Sequence, residues 1–188
     1  MRERPFLLTR RSFAPVRTSR VALLVAVLVI VAGATWLWLS HHNQSPIGEN
    51  ITVYYTKIDG KSEIPWTVSM RPQTSSESAQ DHLRSAALYA ATQAVAGPAS
   101  TIAAVRFPPG THVLSVDVTG SSADVDLSKD VANPSGTFAE TGEFKSLVWT
   151  LTALPGIGSV AVRVQGQRLD ALPGGHLELD KPLHRSDW

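Results

Sequence analysis

The chain of 188 residues contains no cysteine, and only 18% of its residues are charged. The absence of cysteine excludes a disulfide framework, thiolate metal sites, a cysteine nucleophile and attachment to a membrane through a lipidated cysteine. The low charge accompanies 43% hydrophobic residues, a composition too apolar for a fully disordered chain. We therefore expect one folded domain of ordinary size.

Positive charge is concentrated at the N-terminus. Residues 1–20 carry six arginines against the single Glu3, a net charge of +5, so the remainder of the chain carries −4. A slightly acidic main body argues against nucleic acid as a partner. The arginines of that body are dispersed and form no track that could follow a phosphate backbone. They are Arg71, Arg84, Arg106, Arg163, Arg168 and Arg185.

Residues 21–39 are 19 consecutive positions without a charge, Asn, Gln or Pro. A helix of this length spans about 28 Å, close to the hydrocarbon thickness of a bilayer. Trp36 and Trp38 stand at its far end, where indole rings prefer the headgroup boundary. The segment predicts a transmembrane helix in the cell membrane, with residues 1–20 as a basic cytoplasmic tail and the body outside the cytoplasm.

A cleaved secretory signal is the competing interpretation of this segment. Ala32-Gly33-Ala34 has the small-x-small form that signal peptidase requires after an apolar stretch. The apolar run continues through Trp36 and Leu39 beyond that point, which favours an uncleaved anchor. Both interpretations export the body of the protein.

The exported part begins with a polar linker, residues 40–50, and continues with two strands, at 51–57 and 64–70. Thr74 and Glu77 have the spacing of a capping box and predict an Ala-rich helix over 75–96, ended by Gly97-Pro98.

Alternating residues predict three further strands and one further helix in the second half. Phe144, Leu147, Val148 and Leu151 have helical spacing. The predicted segments are strands at 112–118, 123–127 and 160–164, a loop at 128–142, a helix at 141–154 and short extended pieces at 173–188. This order predicts an α+β domain: a mixed β-sheet with two helices on one face.

Four stretches form an ordered pattern along this domain. They are Val-Tyr-Tyr-Thr-Lys at 53–57, Phe-Pro-Pro-Gly-Thr-His-Val-Leu-Ser-Val at 107–116, Val-Asp-Leu-Ser at 125–128, and Leu-Val-Trp-Thr-Leu-Thr-Ala-Leu-Pro-Gly at 147–156 with Val160 to Val164, Gly166, Gly174-Gly175-His176 and Pro182-Leu183 behind it. Together they resemble the GerMN domain family, a module named for sporulation and spore germination.

The resemblance covers about residues 50–185 and places a GerMN-like extracytoplasmic domain at 51–185. It implies a non-enzymatic module of membrane-associated assemblies, with a fold similar to ring-building α+β domains of envelope and sporulation channels. No catalytic, cofactor-binding or metal-binding residue comes with it. Family members are often lipoproteins, whereas this chain carries the apolar segment 21–39.

Four aspartates are candidates for a metal or general-acid cluster: Asp117, Asp124, Asp126 and Asp130. Strand alternation directs Val125 and Leu127 to one face and the intervening carboxylates to the other. Carboxylates at period two on a wet face are usually solvated, so we expect no metal and no cofactor.

Three histidines are the next candidates. His41 and His42 stand in the linker without the third and fourth ligands that a tight metal site needs. His176, after two glycines, is expected to serve in a structural hydrogen bond that closes the C-terminal turn. Gly156-Ile157-Gly158-Ser159 is neither a nucleophile elbow nor a dinucleotide fingerprint.

Aromatic residues offer two kinds of contact. Trp149 lies one position off the apolar stripe of its helix and is expected at the margin of the core, with a partly exposed anchor for a partner as the alternative. Tyr54 and Trp66 could stack against sugars. The sequence thus predicts a membrane-anchored protein that binds an envelope protein or its own copies through sheet edges and helix flanks, with a module for cell-wall glycan or a small ligand as the alternative.

Overall fold

The computed structural model describes residues 25, 27–35, 50–173 and 175–188. The chain forms two compact units, Met1–Asn43 and Gln44–Trp188. In the first unit the described residues are helical. None of the helices in the described ranges combines the length and the apolar character needed to cross a membrane. The predicted basic tail 1–20 and linker residues 40–49 lie outside the described residues, as do both ends of the segment 21–39.

The second unit alternates strands with two long helices. Its elements are β1 (Asn50–Thr56), β2 (Glu63–Ser69), α1 (Ala79–Ala96), β3 (Val113–Thr119), β4 (Ser122–Leu127), a 3-10 turn (Lys129–Ala132), α2 (Thr137–Leu151), β5 (Ser159–Val164) and a second 3-10 turn (Arg185–Asp187). The predicted α+β class is confirmed.

The strands form two sheets instead of the predicted single sheet. β1 and β2 make an antiparallel ribbon, whereas β3, β4 and β5 make a three-stranded sheet in that order. This second sheet is mixed, because β3 runs antiparallel to β4 and β5 runs parallel to it. The ribbon stays separate because the outer edge of β1, on the side away from β2, is hydrogen-bonded to side chains of α2 and not to another strand.

The helix α1 begins later than the sequence predicted. Ser78 is its N-cap, and the Ser78 hydroxyl accepts the N–H of Asp81 at 3.0 Å. The predicted cap at Thr74 is wrong, because Glu77 turns back to bind Arg71 and does not close a capping box.

Small side chains let the helix α1 lie close to the sheets. Ala86, Ala87, Ala90 and Ala91 are fully buried.

The helix α2 begins four residues before the predicted start at 141. Gly136 precedes it with a φ of 86°, a left-handed conformation that glycine adopts without strain. The first turn escaped prediction because its apolar residue, Phe138, is exposed and breaks the pattern of buried positions. The predicted stripe is confirmed. Phe144, Leu147, Val148 and Leu151 are all fully buried.

One hydrophobic core joins both sheets and both helices. Val53 of the ribbon and Val125 and Leu127 of the second sheet are fully buried within it. Phe107 and Phe144 meet edge to face, with ring centres 5.9 Å apart. Residues 175–188, here called the C-terminal arm, add Leu179 and Leu183 to this core. The arm is therefore part of the folded unit.

Candidate interaction edge

The outer edge of β1 is closed by α2. The N–H groups of Tyr54 and Thr56 donate to the hydroxyls of Thr150 and Ser146, each at 2.9 Å. The carbonyl of Thr56 accepts the N–H of Val105 at 2.8 Å. No donor at these positions is left for a partner strand.

The outer edge of β5 is covered by the segment that follows it. Val160 exchanges two backbone hydrogen bonds with Leu183, at 2.9 and 2.7 Å. Val164 is bridged in the same way to Gln167. The C-terminal arm thus occupies the place that a further strand would take.

The outer edge of β3 is obstructed at both ends. The Gln80 side chain of α1 donates to the carbonyl of Val118 at 3.1 Å, and Val118 is only 2% exposed. At the other end the register shifts between Val113 and Ser115, which is a bulge. Coverage and bulges are both known ways in which proteins protect edge strands.

The outer edge of β2 is uncovered along Pro65, Trp66 and Thr67. Tyr54 and Thr56 of β1 direct their N–H groups away from β2, so alternation places the outward-facing backbone groups of β2 at residues 63, 65, 67 and 69. Pro65, Trp66 and Thr67 are exposed, and no strand among the described residues pairs with this edge. We call residues 63–69 with their outward-facing groups the β2 edge.

Two features shape the β2 edge. Pro65 has no N–H, so one position lacks a donor. The Ser69 carbonyl is already bonded, since it accepts the Tyr89 hydroxyl at 3.1 Å. Trp66 is 48% exposed on the ribbon face shared with the partly buried Ile64 and Val68. Exposed tryptophan is common among residues that carry the binding energy of interfaces.

A cavity of about 330 Å³ lies at the end of this edge. It is lined by Ser69, Met70, Arg71, Ser85 and Tyr89. The Arg71 guanidinium binds the Glu77 carboxylate with both nitrogens, at 2.9 and 2.7 Å, and this hydrogen-bonded pair lowers the pKa of Glu77 to about 2. The pair fixes the cation beside the cavity.

Three of the four predicted aspartates meet on the open face of the second sheet. Asp117, Asp124 and Asp126 line one polar depression with Arg163. Burial opposes ionisation of Asp124, but hydrogen bonds and charge from Arg163 and Arg168 outweigh it and lower the pKa of that carboxyl. In the part of the chain described here, no three acidic or histidine side chains are placed to hold a metal ion.

The other sequence candidates take structural places. Asp130 stands apart from the aspartates, near the Ser128 hydroxyl. His176 donates its backbone N–H, and not its ring, to Glu140 at 3.3 Å. Trp149 is half-buried and meets Tyr54 edge to face, with ring centres 5.7 Å apart. His41 and His42 lie outside the described residues.

The helix α2 carries a pair of buried acids, Glu140 and Glu143, that were not predicted from the sequence. Glu140 accepts the backbone N–H groups of His176 and Leu177. Glu143 is 1% exposed, and neither of its oxygens has a hydrogen-bond partner. Burial, with a smaller contribution from the negative charge of Glu140, raises the pKa of Glu143 to about 7. Helical spacing from Phe144 and Leu147 back to 140 and 143 was the signal that could have revealed them.

Comparison with known proteins identifies the family. Residues 52–170 match the sequence pattern of a family described as Germane: Sporulation and spore germination. The match covers more than half of the chain. This chain belongs to the Germane family. The resemblance to GerMN domains inferred from the sequence is thereby confirmed.

Solved structures agree with the Germane assignment. The first GerMN domain of the sporulation protein GerM from Bacillus subtilis has 26% identity and a TM-score of 0.55, over 73% of this chain and 98% of that one. The tandem GerMN domains of the same protein give 26% identity and a TM-score of 0.56, over 73% of this chain and 46% of the tandem chain.

A more distant likeness extends to a candidate lipoprotein from Clostridium perfringens, with 21% identity and a TM-score of 0.52 over 73% of this chain and 88% of that one. At this identity the likeness shows the fold alone. A search of curated proteins gave no significant match.

Proposed function

We propose that this Germane protein is a membrane-anchored, extracytoplasmic and non-catalytic interaction module of an envelope-associated complex. The observation that carries the proposal is the uncovered β2 edge with its exposed Trp66, in a domain whose other three outer edges are closed or obstructed. An exposed strand edge binds another chain through main-chain hydrogen bonds. The partner is an envelope protein or a second copy of this chain.

The membrane anchor in this proposal is the apolar segment 21–39. The arginine-rich residues 1–20 support a single-pass topology with the N-terminus in the cytoplasm. Because the chain has no native cysteine, single cysteines placed at residue 9 and at the exposed Ser115 report topology cleanly. In intact cells a membrane-impermeant maleimide should label the cysteine at 115 and not the cysteine at 9, and the reverse result refutes the topology.

The polar face of the second sheet supports a non-catalytic role. The carboxylate of Asp124 is held by two arginines, and Asp126 accepts the N–H of Gly166 at 2.8 Å. The two arginines lower the pKa of the Asp124 carboxyl, which makes its carboxylate a weak base. Alanine substitution at Asp124, Asp126 and His176 together should leave the cellular phenotype of the gene unchanged.

Affinity capture of the tagged full-length protein from gently solubilised membranes tests the interaction role. We expect a reproducible envelope partner or a differently tagged second copy in the captured material. The signal should persist when residues 21–39 are exchanged for another transmembrane helix and disappear when residues 50–185 are replaced. Capture that follows only the transmembrane segment contradicts the proposal.

A second candidate function is the binding of cell-wall glycan. Its support is Trp66, whose exposed indole could stack on a sugar ring. Tyr54 is less available, because Trp149 and the Arg185 guanidinium pack against its ring. Sedimentation with purified wall material decides this candidate: loss of binding on Trp66→Ala supports it, and no binding at high wall excess removes it.

A further inference from the structure

The hydrogen-bonding groups of the β2 edge form a definite sequence of donors and acceptors. Thr67 presents both its N–H and its C=O away from β1. Pro65 presents a C=O alone, because proline has no N–H. Ser69 presents an N–H, while its C=O is already occupied by the Tyr89 hydroxyl. The edge therefore offers two donors and two free acceptors over these three residues.

This sequence is complementary to itself when two copies pair antiparallel about Thr67. A two-fold axis at that residue places Thr67 opposite Thr67 of the second copy and Pro65 opposite Ser69 of the second copy. The two threonines then exchange both of their hydrogen bonds. Each Ser69 N–H donates to the Pro65 carbonyl across the axis, so four main-chain bonds form.

The same pairing also accommodates the N–H group that Pro65 lacks. Opposite residues in such a pair normally exchange two bonds, and Pro65 leaves one of them without a donor. The acceptor that loses this donor is the Ser69 carbonyl, which is satisfied within its own chain. We infer that the β2 edge is a homodimer contact, in which two copies pair antiparallel about Thr67 and join their ribbons into one four-stranded sheet.

The side chains agree with this register. On the apolar face Trp66 lies opposite Val68 of the second copy, and Ile64 opposite Met70. On the other face Thr67 meets Thr67, a favourable cross-strand pair.

Neighbouring registers are less complementary. An axis at Trp66 places Pro65 opposite Thr67, and the Thr67 carbonyl then faces a position without a donor. An axis at Pro65 places two prolines opposite each other and leaves no donor at the centre. An unpaired backbone group costs about 1–3 kcal/mol when it is buried, so pairing about Thr67 is favoured over these two registers.

The dimer contact is small, so it forms where the copies are concentrated by attachment to one membrane. Four backbone bonds and two tryptophan contacts suit a weak, reversible dimer, and attachment of both copies to one membrane raises their effective concentration. The inference thus rests on the proposed function, from which it takes the membrane attachment and the self-association. To the proposed function it adds the contact surface, the register of strand pairing and the two-fold symmetry of the dimer.

Cysteine cross-linking in membranes tests the register directly, because the chain has no cysteine of its own. In the proposed dimer the two copies of Thr67→Cys stand about 5.5 Å apart between Cα atoms, within disulfide range. The matched control is Ser69→Cys, which is also exposed on the same strand. Its two copies are offset by four residues, about 13 Å, and are out of range.

We expect mild oxidation of full-length protein in native membranes to give at least tenfold more disulfide dimer for Thr67→Cys than for Ser69→Cys. Equal yields, or a higher yield for Ser69→Cys, overturn the inference.

A second test uses the variant Thr67→Pro, which removes the central N–H donor without breaking a bond to β1. This variant should lose capture of a differently tagged copy, and retained capture also overturns the inference. If a heterologous partner is still captured, the failure concerns the dimer and not the proposed function.

Discussion

The backbone N–H of Thr56 donates to the Ser146 hydroxyl at 2.9 Å, across 90 residues of sequence. Ser146 in turn donates to the carbonyl of Gly142 in its own helix, at 2.8 Å. Thr150 repeats the arrangement one turn further along with the N–H of Tyr54. Two helix hydroxyls therefore take the place of a strand, and this accounts for the separation of the ribbon from the second sheet.

Ser146→Ala should destabilise the domain by about 1–3 kcal/mol, because the buried N–H of Thr56 loses its acceptor. Urea unfolding of the Gln44–Trp188 unit measures this change in free energy. The control is Thr141→Ala, an exposed position of the same helix whose hydroxyl bonds only to the preceding turn. It should stay within about 0.5 kcal/mol of the natural protein. Equal losses in the two variants contradict the role of Ser146.

Much of the fold could be predicted from local pattern. Strand alternation located the residues of β4 and β5, and the spacing from Phe144 to Leu151 located the middle of α2. These predictions succeeded because side-chain direction in a strand or a helix follows directly from its period.

The division into two sheets could not be predicted in this way. It depends on Ser146 and Thr150, whose hydroxyls look like ordinary polar positions of a helix until β1 is placed beside them. The start of α1 was misplaced for a similar reason, because Glu77 binds Arg71 and Ser78 caps the helix. Binding through a sheet edge could be predicted from the sequence, but not which edge stays open. That is decided by contacts between residues distant in sequence.

Gly142→Ala should lower stability by about 1 kcal/mol, although alanine normally improves a helix by a similar amount. A Cβ at this position would lie 2.9 Å from Cγ2 of Val105 and 3.1 Å from its Cβ. Valine is stiff at χ1 and cannot easily turn away. The double variant Gly142→Ala with Val105→Ala tests the cause. It should show a favourable coupling of about 1 kcal/mol in a double-mutant cycle, and purely additive effects contradict the steric explanation.

Arg185 secures the end of the C-terminal arm to α2. Its Nη2 donates to the Trp149 carbonyl at 2.6 Å and its Nε to the Thr152 hydroxyl at 3.2 Å. The guanidinium centre lies 4.6 Å from the Trp149 ring centre. Arg185→Ala should cost about 1–3 kcal/mol, and Arg185→Lys should recover little of it, because an ammonium group lacks the planar fork.

Thermal unfolding followed by tryptophan fluorescence measures the effect of Arg185. Lys181→Ala is the control in the same arm, since its side chain is 74% exposed and its nearest carboxylate is 3.7 Å away. It should leave the midpoint of unfolding unchanged. Full recovery by Arg185→Lys shows that charge alone matters and contradicts the geometric explanation.

Glu143→Gln should stabilise the domain relative to the natural protein, by a free energy that increases with pH. In the folded protein the pKa of Glu143 is raised from an ordinary 4.5 to about 7 by burial. The stability gained from keeping the proton is complete below pH 4.5 and is lost as the pH rises through 7, a loss of about 3 kcal/mol. Glutamine resembles the protonated acid and cannot lose that proton, so the variant escapes this loss.

Urea unfolding at pH 4.5, 6 and 8 measures the difference in free energy between Glu143→Gln and the natural protein, which should increase across this series. Other acids, such as Glu77 with its lowered pKa, change stability with pH equally in both proteins and cancel in the difference. Glu178→Gln serves as the control, because its side chain is 81% exposed and its difference should stay near zero throughout. A difference for Glu143→Gln that is constant with pH shows that the buried carboxyl does not titrate in this range, and its unpartnered oxygens then need another explanation.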